Sequence, residues 1–199
     1  MIRKALLTAL FPLAACATAP AQVSDEASAP TAETLPAMAE MAEAASDEPP
    51  TLPVMMAGEV IGMEGNTIGA VNLLEGPHGV IMEVTLAPGS LTPGWHGLHL
   101  HEVGDCSDIG EFKRSGGHMG IIPGGHGLMN PVGPESGDVP NIWAAADGSA
   151  GYETFSPLFT FEDVADEDGT AMVIHANRDD HITQPIGGAG PRVACAVIK

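Results

Sequence analysis

Short apolar runs separated by Gly, Pro, Asn or Asp characterise the sequence from residue 53 onward. Runs of this kind are typical of β-strands. The predicted strands cover residues 54–63, 67–74, 79–86, 97–102, 170–175 and 193–198. Glu64-Gly65-Asn66 has the composition of a hairpin turn between the first two, and no long stretch has the period of a helix. The pattern therefore predicts an all-β sandwich or barrel.

The segment 104–137 interrupts this pattern. It is rich in Gly and Pro and is longer than an ordinary connection between two strands. Loops of this length tend to carry function. We therefore expect one long functional loop on the β-fold.

The N-terminal residues follow a different pattern. Arg3 and Lys4 precede an almost purely apolar run at residues 5–15, which is shorter than the roughly 20 residues needed to span a bilayer. These proportions predict a signal peptide over residues 1–15 and an exported protein. The run ends at Leu13-Ala14-Ala15-Cys16, which resembles a bacterial lipobox and implies a lipid on Cys16. Cleavage after 17–19 is the alternative, and it would release a soluble protein.

Residues 17–53 contain mainly Ala, Pro, Glu, Ser and Thr, with seven acidic residues, no basic residue and no aromatic residue. Such a segment cannot bury enough apolar surface to offset the entropy of ordering it. We therefore predict a disordered acidic tether over 16–53, between a membrane and a folded domain at 54–199.

The predicted domain is strongly acidic. Residues 53–199 contain nineteen acidic and five basic residues, a net charge of −14 with neutral histidines. Phosphate groups would be repelled by this surface, so a nucleic-acid partner is excluded.

The histidines of the fourth predicted strand alternate with leucines. In Gly97-Leu98-His99-Leu100-His101 the two leucines share one face and the two imidazoles share the other. If the leucines face the core, His99 and His101 project from the outer wall as a pair able to hold a metal. For an isolated pair of this kind, two surface histidines are the commoner outcome.

Further candidate ligands favour the metal. The long loop contributes His118, His126, Glu135 and Asp138, and His175 ends another predicted strand. Imidazoles alone suit copper, whereas mixed imidazole and carboxylate ligands suit zinc. The residues therefore predict two metal sites of different character. His78 and His181 stand apart from these groups and are predicted to lie at the surface.

Two cysteines fall within the predicted domain. In an exported protein Cys106 and Cys195 would most simply form one disulfide. Two buried free thiols are the alternative.

Taken together, these residues resemble the Cu,Zn superoxide dismutases, particularly the bacterial exported forms, over about residues 56–199. The motifs that carry the resemblance are His96-Gly97-Leu98-His99-Leu100-His101-Glu102, Gly104-Asp105-Cys106, Gly116-Gly117-His118, Asn130-Pro131, Gly137-Asp138, Val173-Ile174-His175-Ala176 and Gly190-Pro191-Arg192-Val193-Ala194-Cys195. The fold that this resemblance implies is an eight-stranded Greek-key β-barrel.

The resemblance also implies roles for individual residues. The implied copper ligands are His99, His101, His118 and His175. The implied zinc ligands are His118, as a bridging residue, with His126, Glu135 and Asp138. Asp179 resembles the carboxylate that orients one ligand of each metal, His96 a structural histidine, and Arg192 the guanidinium that docks superoxide. The Cys106–Cys195 bridge would tie the long loop to the strand that carries Arg192.

Glu135 is a departure from the family pattern, which has a third histidine at this position. Zinc accepts a Glu oxygen at ordinary bond lengths, so a site with Glu135 is chemically reasonable. The alternative is that Glu135 points to solvent and leaves the zinc site weak or empty.

The implied activity is the dismutation of superoxide to dioxygen and hydrogen peroxide by copper redox cycling, with His118 passing a proton. Because a steering field depends on local charge, the net charge of −14 does not exclude an anionic substrate. The alternatives are a non-catalytic copper- and zinc-binding relative and a structural lipoprotein with an inert barrel. The implied location is the periplasm, on a membrane-anchored lipoprotein, and a homodimer is possible.

Overall fold

Nine β-strands form the framework of residues 55–199, the part of the chain that the computed structural model describes. They are β1 (Met55–Gly62), β2 (Thr67–Gly76), β3 (Gly79–Leu86), β4 (Gly94–His96), β5 (Leu98–His101), β6 (Ile142–Ala144), β7 (Ala150–Ser156), β8 (Thr170–His175) and β9 (Arg192–Ile198). The described residues also include a single turn of 3₁₀ helix, Lys113–Ser115, and one four-residue helix, α1 (Phe161–Val164). None of the helices in this part of the chain is long and apolar enough to cross a membrane. The predicted signal peptide, Cys16 and the tether lie outside the described residues.

Seven of these strands form one antiparallel sheet, in the order β5-β8-β9-β1-β2-β3-β7. The remaining two, β4 and β6, pair with each other. Strands β1 to β3 are joined by hairpins, whereas β3–β7, β5–β8 and β1–β9 pair residues far apart in sequence. Because only Gly97 separates β4 from β5, these two are one extended run that passes from the small sheet to the large one. Counted in this way the strands number eight, and the predicted all-β Greek-key architecture is confirmed.

All six predicted strands are present, with ends that differ by at most two residues from the prediction. The turn at Gly65 is also present: its φ is +81°, and its N–H donates to the Gly62 carbonyl at 2.9 Å. Three strands were missed. Strands β4 and β6 have only three residues each, and β7 alternates buried and exposed positions without an apolar run.

The main core lies on one face of the curled sheet. It contains Leu98 and Leu100 of β5 together with the buried apolar side chains of β2, β3, β8 and β9. Fully burying one such side chain stabilises a fold by about 1.5–3 kcal/mol, so the packing of these strands stabilises the described part of the chain.

A smaller buried cluster lies on the opposite face. It contains Phe112, Ala171, Val173 and the disulfide between Cys106 and Cys195, whose Cα atoms are 5.8 Å apart. The bridge joins the long loop to β9, as predicted. This cluster therefore fixes the loop against the outer face of the sheet.

Candidate metal centre

The backbone of β5 and its neighbours brings the predicted ligands together. On one side β5 pairs with β8, so that His99 lies opposite Val173 and His101 opposite Ala171. On its other side His101 forms an isolated bridge with His118, and His99 forms one with Asp138. The two histidines lie on the face opposite the leucines, as predicted. They are fully buried rather than exposed, because the long loop covers them.

Gly137 is needed for this close approach of the loop. Its N–H donates to the Met119 carbonyl, and its own carbonyl accepts from Leu100 N, both at 2.9 Å. A Cβ at this position would collide with the Leu100 carbonyl oxygen. Only glycine therefore lets the loop place Asp138 beside His99.

Four imidazole nitrogens converge without a protein partner. They are His99 Nδ1, His101 Nε2, His118 Nε2 and His175 Nε2, all buried and all lacking a hydrogen bond among the described residues. Ligand atoms of these four side chains lie within 4.8 Å of one another. A buried polar atom without a partner costs about 1–3 kcal/mol, so four in one place are explained by a metal that they bind. This donor set suits copper.

The other nitrogen of three of these rings is held by the protein. His99 Nε2 donates to Asp179 Oδ2 at 2.7 Å, His101 Nδ1 to the Gly116 carbonyl at 3.0 Å, and His175 Nδ1 to the Gly190 carbonyl at 2.8 Å. Such contacts fix the tautomer and the orientation of a metal-binding histidine. The free nitrogens are therefore aimed at one point.

A second buried group adjoins the first through His118. It consists of His118, His126, Glu135 and Asp138, whose ligand atoms also lie within 4.8 Å of one another. His118 Nδ1 is 2.9 Å from Glu135 Oε2, and His126 Nδ1 is 2.9 Å from Asp138 Oδ1. Glu135 is only 5% exposed, so the alternative that it points to solvent is wrong. Two imidazoles and two carboxylates form a donor set that suits zinc.

Asp179 joins the two groups. Its carboxylate accepts from His99 of the first group and lies 3.2 Å from His126 Nε2 of the second. Asn141 holds its backbone from both sides, since Asp179 N donates to Asn141 Oδ1 at 2.8 Å and Asn141 Nδ2 donates to the Asp179 carbonyl at 2.9 Å. Asn141 could not be predicted from the sequence, because no local pattern marks a residue that acts across 38 positions.

The two groups differ in electrostatics. Burial lowers the pKa of His99 to about 4 and that of His175 to about 3, despite the hydrogen bond from His99 to Asp179. Burial also opposes the charge on His126, but Asp138 and Asp179 outweigh it and raise its pKa to about 9. Asp179 in turn has a pKa well below its usual range: burial alone would raise it, and its hydrogen bonds with His126 and His99 prevail. The first group is thus neutral and the second highly polar.

Arg192 begins β9 beside the first group. Its Nη1 donates to the Phe112 carbonyl at 2.6 Å and to Ser115 Oγ at 3.0 Å, and its Nη2 donates to the Gly116 carbonyl at 2.7 Å. Of its five N–H groups, that leaves Nε–H and one on Nη2 without a partner among the described residues. The guanidinium also lines a cavity of about 340 Å³ whose wall includes His101 and His118. Arg192 therefore offers a positive charge at the opening above the first group.

The family profile described as copper/zinc superoxide dismutase (SODC) matches residues 67–198. The Cu-Zn superoxide dismutase of Caulobacter vibrioides is 50% identical over 143 residues, which span 68% of this chain and 80% of that protein. The chain belongs to the copper/zinc superoxide dismutase family. The predicted resemblance is thereby confirmed, and copper and zinc are the cofactors expected of this member.

Other members of the superoxide dismutase family agree in sequence and fold. Superoxide dismutase [Cu-Zn] 2 of Aquifex aeolicus is 37% identical over 71% of this chain and 84% of its own length. A crystal structure of a superoxide dismutase-like protein from Bacillus subtilis superposes with a TM-score of 0.64 at 30% identity, over 71% of this chain and 96% of that one. The Cu/Zn superoxide dismutase of Brucella abortus gives a TM-score of 0.60 at 28% identity, over 73% of this chain and the whole of that one.

Two further histidines lie next to the metal groups without joining them. His96 is buried, with its ring nitrogens 2.8 Å from the His175 carbonyl and 2.7 Å from the Thr92 carbonyl. His181 was predicted to lie at the surface, and it is partly exposed. Its side chain is only 17% exposed and its Nε2 lies 2.9 Å from Asn141 Nδ2, because the turn after Asp179 folds it inward. His78 is exposed, as predicted.

Three other basic residues near the site have partners of their own. Lys113 pairs with Glu111 at 2.7 Å and Arg114 with Asp105 at 2.7 Å, all near the surface. Arg178 lies over the Trp95 ring, 5.9 Å from its centroid. Lys113 and Glu111 line a second cavity with His175 and Arg192, and because these two charges offset each other, the net positive charge beside the first group comes from Arg192.

Proposed function

We propose that this protein converts superoxide to dioxygen and hydrogen peroxide at a copper ion held by His99, His101, His118 and His175. The observation that carries this proposal is the convergence of four buried imidazole nitrogens without protein partners. When bound there, copper supplies one-electron chemistry, oxidising one superoxide and reducing a second, with two protons taken up to form hydrogen peroxide. Zinc would be held by His118, His126, Glu135 and Asp138, whose oxygens and nitrogens match its preferences.

The chain's own residues position the substrate and move a proton. Arg192 has two free N–H groups beside the cavity and attracts the anion in spite of the acidic remainder, because screening weakens charges beyond roughly 8–10 Å. His118 belongs to both groups, and its Nε2 holds a proton and passes it to the product when that nitrogen is free of metal. Asp179 contacts the rings of both His99 and His126 and so fixes their orientation relative to each other.

We further propose that the protein is exported to the periplasm and anchored through a lipid on Cys16. The support is the basic and apolar pattern of residues 1–15 together with Leu13-Ala14-Ala15-Cys16. The disulfide between Cys106 and Cys195 agrees with an oxidising compartment. Labelling with a radioactive fatty acid in cells tests the anchor, and a Cys16→Ala chain that is labelled as strongly as the parent would contradict it.

The catalytic proposal is tested with purified protein loaded with copper and zinc. We expect Arg192→Ala to bind copper stoichiometrically but to dismutate superoxide at least about 10-fold more slowly, because a local field can raise association rates by 10–10³. Arg192→Lys should recover part of the rate. Arg178→Ala is the matched control, since it removes the same charge from the Trp95 ring, and it should keep the parental rate.

A parent protein that holds copper at these histidines but shows no dismutation above buffer would refute the catalytic proposal. It would favour the alternative, a non-catalytic metal-binding relative of the same fold. A chain that binds no stoichiometric metal would refute both. Sedimentation of the same preparation tests the possible homodimer.

A further inference from the structure

The cavity above the first metal group has an apolar rim. Its volume is about 340 Å³, and the buried rings of His101 and His118 form part of its floor. Five apolar side chains also line it, and they are Ile121, Ile122, Pro123, Pro185 and Ile186. Superoxide consists of oxygen alone and gains nothing from contact with an apolar surface. The rim therefore suits a ligand that has an apolar part as well as a charge.

Two isoleucines of this rim are open to solvent. Ile121 is 55% exposed and Ile122 is 37% exposed. Both lie against glycine backbone, because a Cβ at Gly117 would collide with Ile121 Cδ1 and a Cβ at Gly125 would collide with Ile122 Cβ. Exposed apolar side chains that adjoin one another, rather than occurring singly, mark binding sites. The two isoleucines thus add an accessible apolar surface to the cavity.

Arg192 provides the polar end of the same cavity. Its Nη1 donates to the Phe112 carbonyl and to Ser115 Oγ, and its Nη2 donates to the Gly116 carbonyl. These bonds fix the guanidinium and leave Nε–H and one N–H on Nη2 without a partner in the described part of the chain. A carboxylate binds a guanidinium through two parallel hydrogen bonds from adjacent nitrogens. The free edge of Arg192 therefore matches a carboxylate.

The acidic side chains around the cavity already have partners. Glu135 lines the wall, but its Oε1 accepts from a backbone N–H at 3.1 Å and its Oε2 lies 2.9 Å from His118 Nδ1. Glu111 lines the second cavity beside Arg192 and pairs with Lys113 at 2.7 Å. Because other groups engage these carboxylates, the charge that a ligand meets at the opening is that of Arg192.

We propose that this cavity binds small organic acids with an apolar chain, with the carboxylate on Arg192 and the chain against Ile121 and Ile186. Cavities that hold organic ligands are mostly apolar, have a few placed polar groups and measure about 300–1,000 Å³. This cavity is at the small end of that range and suits short acids. Because the same guanidinium attracts superoxide, bound acid inhibits dismutation by competition. The inhibition rests on the proposed function, whereas the binding rests on the cavity.

The test is a series of straight-chain acids, titrated calorimetrically into protein loaded with copper and zinc. Acetate, butyrate and hexanoate carry the same charge and differ only in their methylene groups. Full burial of one methylene group improves affinity by about 4-fold. Because the rim is open to solvent, we expect about 2-fold for each, so that the dissociation constant of hexanoate is about 10-fold or more below that of acetate.

The same titrations with copper-free protein separate contact with the rim from coordination of copper by the carboxylate. The dependence on chain length should persist there, because the isoleucines and not the metal produce it. In the loaded protein, inhibition of dismutation should follow the same order of acids. A higher concentration of superoxide should overcome it.

Two variants and one control test the two ends of the cavity. Ile121→Ser should weaken hexanoate about 3-fold or more and leave acetate unchanged, because it removes apolar surface from the rim. Ile81→Ser is the matched control: Ile81 is 39% exposed on β3 and does not line the cavity, so this variant should bind hexanoate as the parent does. Arg192→Gln should weaken all three acids. Hexylamine has the same chain and the opposite charge, and it should bind the parent at least about 10-fold more weakly than hexanoate does.

Equal dissociation constants for acetate and hexanoate would overturn this inference and leave the proposed function intact. The same holds if hexylamine binds as tightly as hexanoate, or if Ile121→Ser keeps the parental dependence on chain length. A parent chain that shows this dependence but no dismutation above buffer would overturn the proposed function and the inhibition, and would leave the acid-binding cavity standing.

Discussion

Loss of the bridge between Cys106 and Cys195 should destabilise the protein by several kcal/mol. The two residues are 89 positions apart, and the chain-entropy relation for closing a loop of that length gives roughly 4–5 kcal/mol at 25 °C. Single domains are commonly stable by only about 5–15 kcal/mol. The bridge therefore accounts for a large fraction of the total.

Loss of the bridge should also affect the position of Arg192, in addition to the stability of the domain. The bridge belongs to the buried cluster with Phe112, and the Phe112 carbonyl accepts from Arg192 Nη1 at 2.6 Å. Without the bridge, the loop that holds the guanidinium opens more often. The dismutation rate should fall even under conditions where the domain is still folded.

The assay is urea unfolding of metal-free protein, comparing the parent with Cys106→Ala/Cys195→Ala in a Cys16→Ala background. A thiol reductant should lower the stability of the bridged protein to about the value of the double variant, and should leave the double variant unchanged. A loss below about 1 kcal/mol would refute the loop-entropy argument. An unchanged dismutation rate in the folded variant would refute the link to Arg192.

Three further predictions concern the metal-free and metal-bound site. Metal-free protein should have its largest free energy of unfolding near pH 6.5, as measured in urea. Because folding raises the pKa of His126 to about 9, the free energy of unfolding should fall as pH rises from 6.5 toward 9, and because folding lowers the pKa of His99 to about 4, it should also fall as pH drops from 6.5 toward 4. A free energy of unfolding that does not change with pH would contradict this. Asn141→Ala frees the backbone of Asp179 and should weaken zinc binding about 10-fold in chelator competition, whereas an unchanged affinity would show that the clamp is dispensable. Gly137→Ala should lower the melting temperature of metal-free protein by several degrees, because its Cβ collides with backbone, and a parental melting temperature would refute the collision.

Much of the fold was predictable because apolar runs mark its buried strands. Strand β7 was missed because its inward positions are Ala150, Tyr152, Thr154 and Ser156, which do not form an apolar run. The brief strands β4 and β6 meet through the exposed pair Trp95 and Trp143, whose ring centroids are 5.0 Å apart. Pairing of this kind depends on tertiary contact rather than on local pattern.

In the candidate site, too, features set by local sequence were predictable and features set by tertiary contact were not. The alternation around His99 and His101 is local, so the pair was visible in the sequence. Distant segments must meet before Asn141 can form its hydrogen bonds with Asp179. The same is true of the three hydrogen bonds of Arg192 with the loop. The contact of His181 with Asn141, 40 positions away, was not predicted for the same reason.

The alternation along β5 has a consequence for how such a protein can change. Leu98 and Leu100 face the barrel interior, and His99 and His101 face the loop on the other side. Mutations that remodel the loop therefore need not disturb the interior, and mutations of the interior need not alter the ligands. Because the two faces of β5 are independent in this way, residues of the loop, Glu135 among them, can change over generations while the core stays packed.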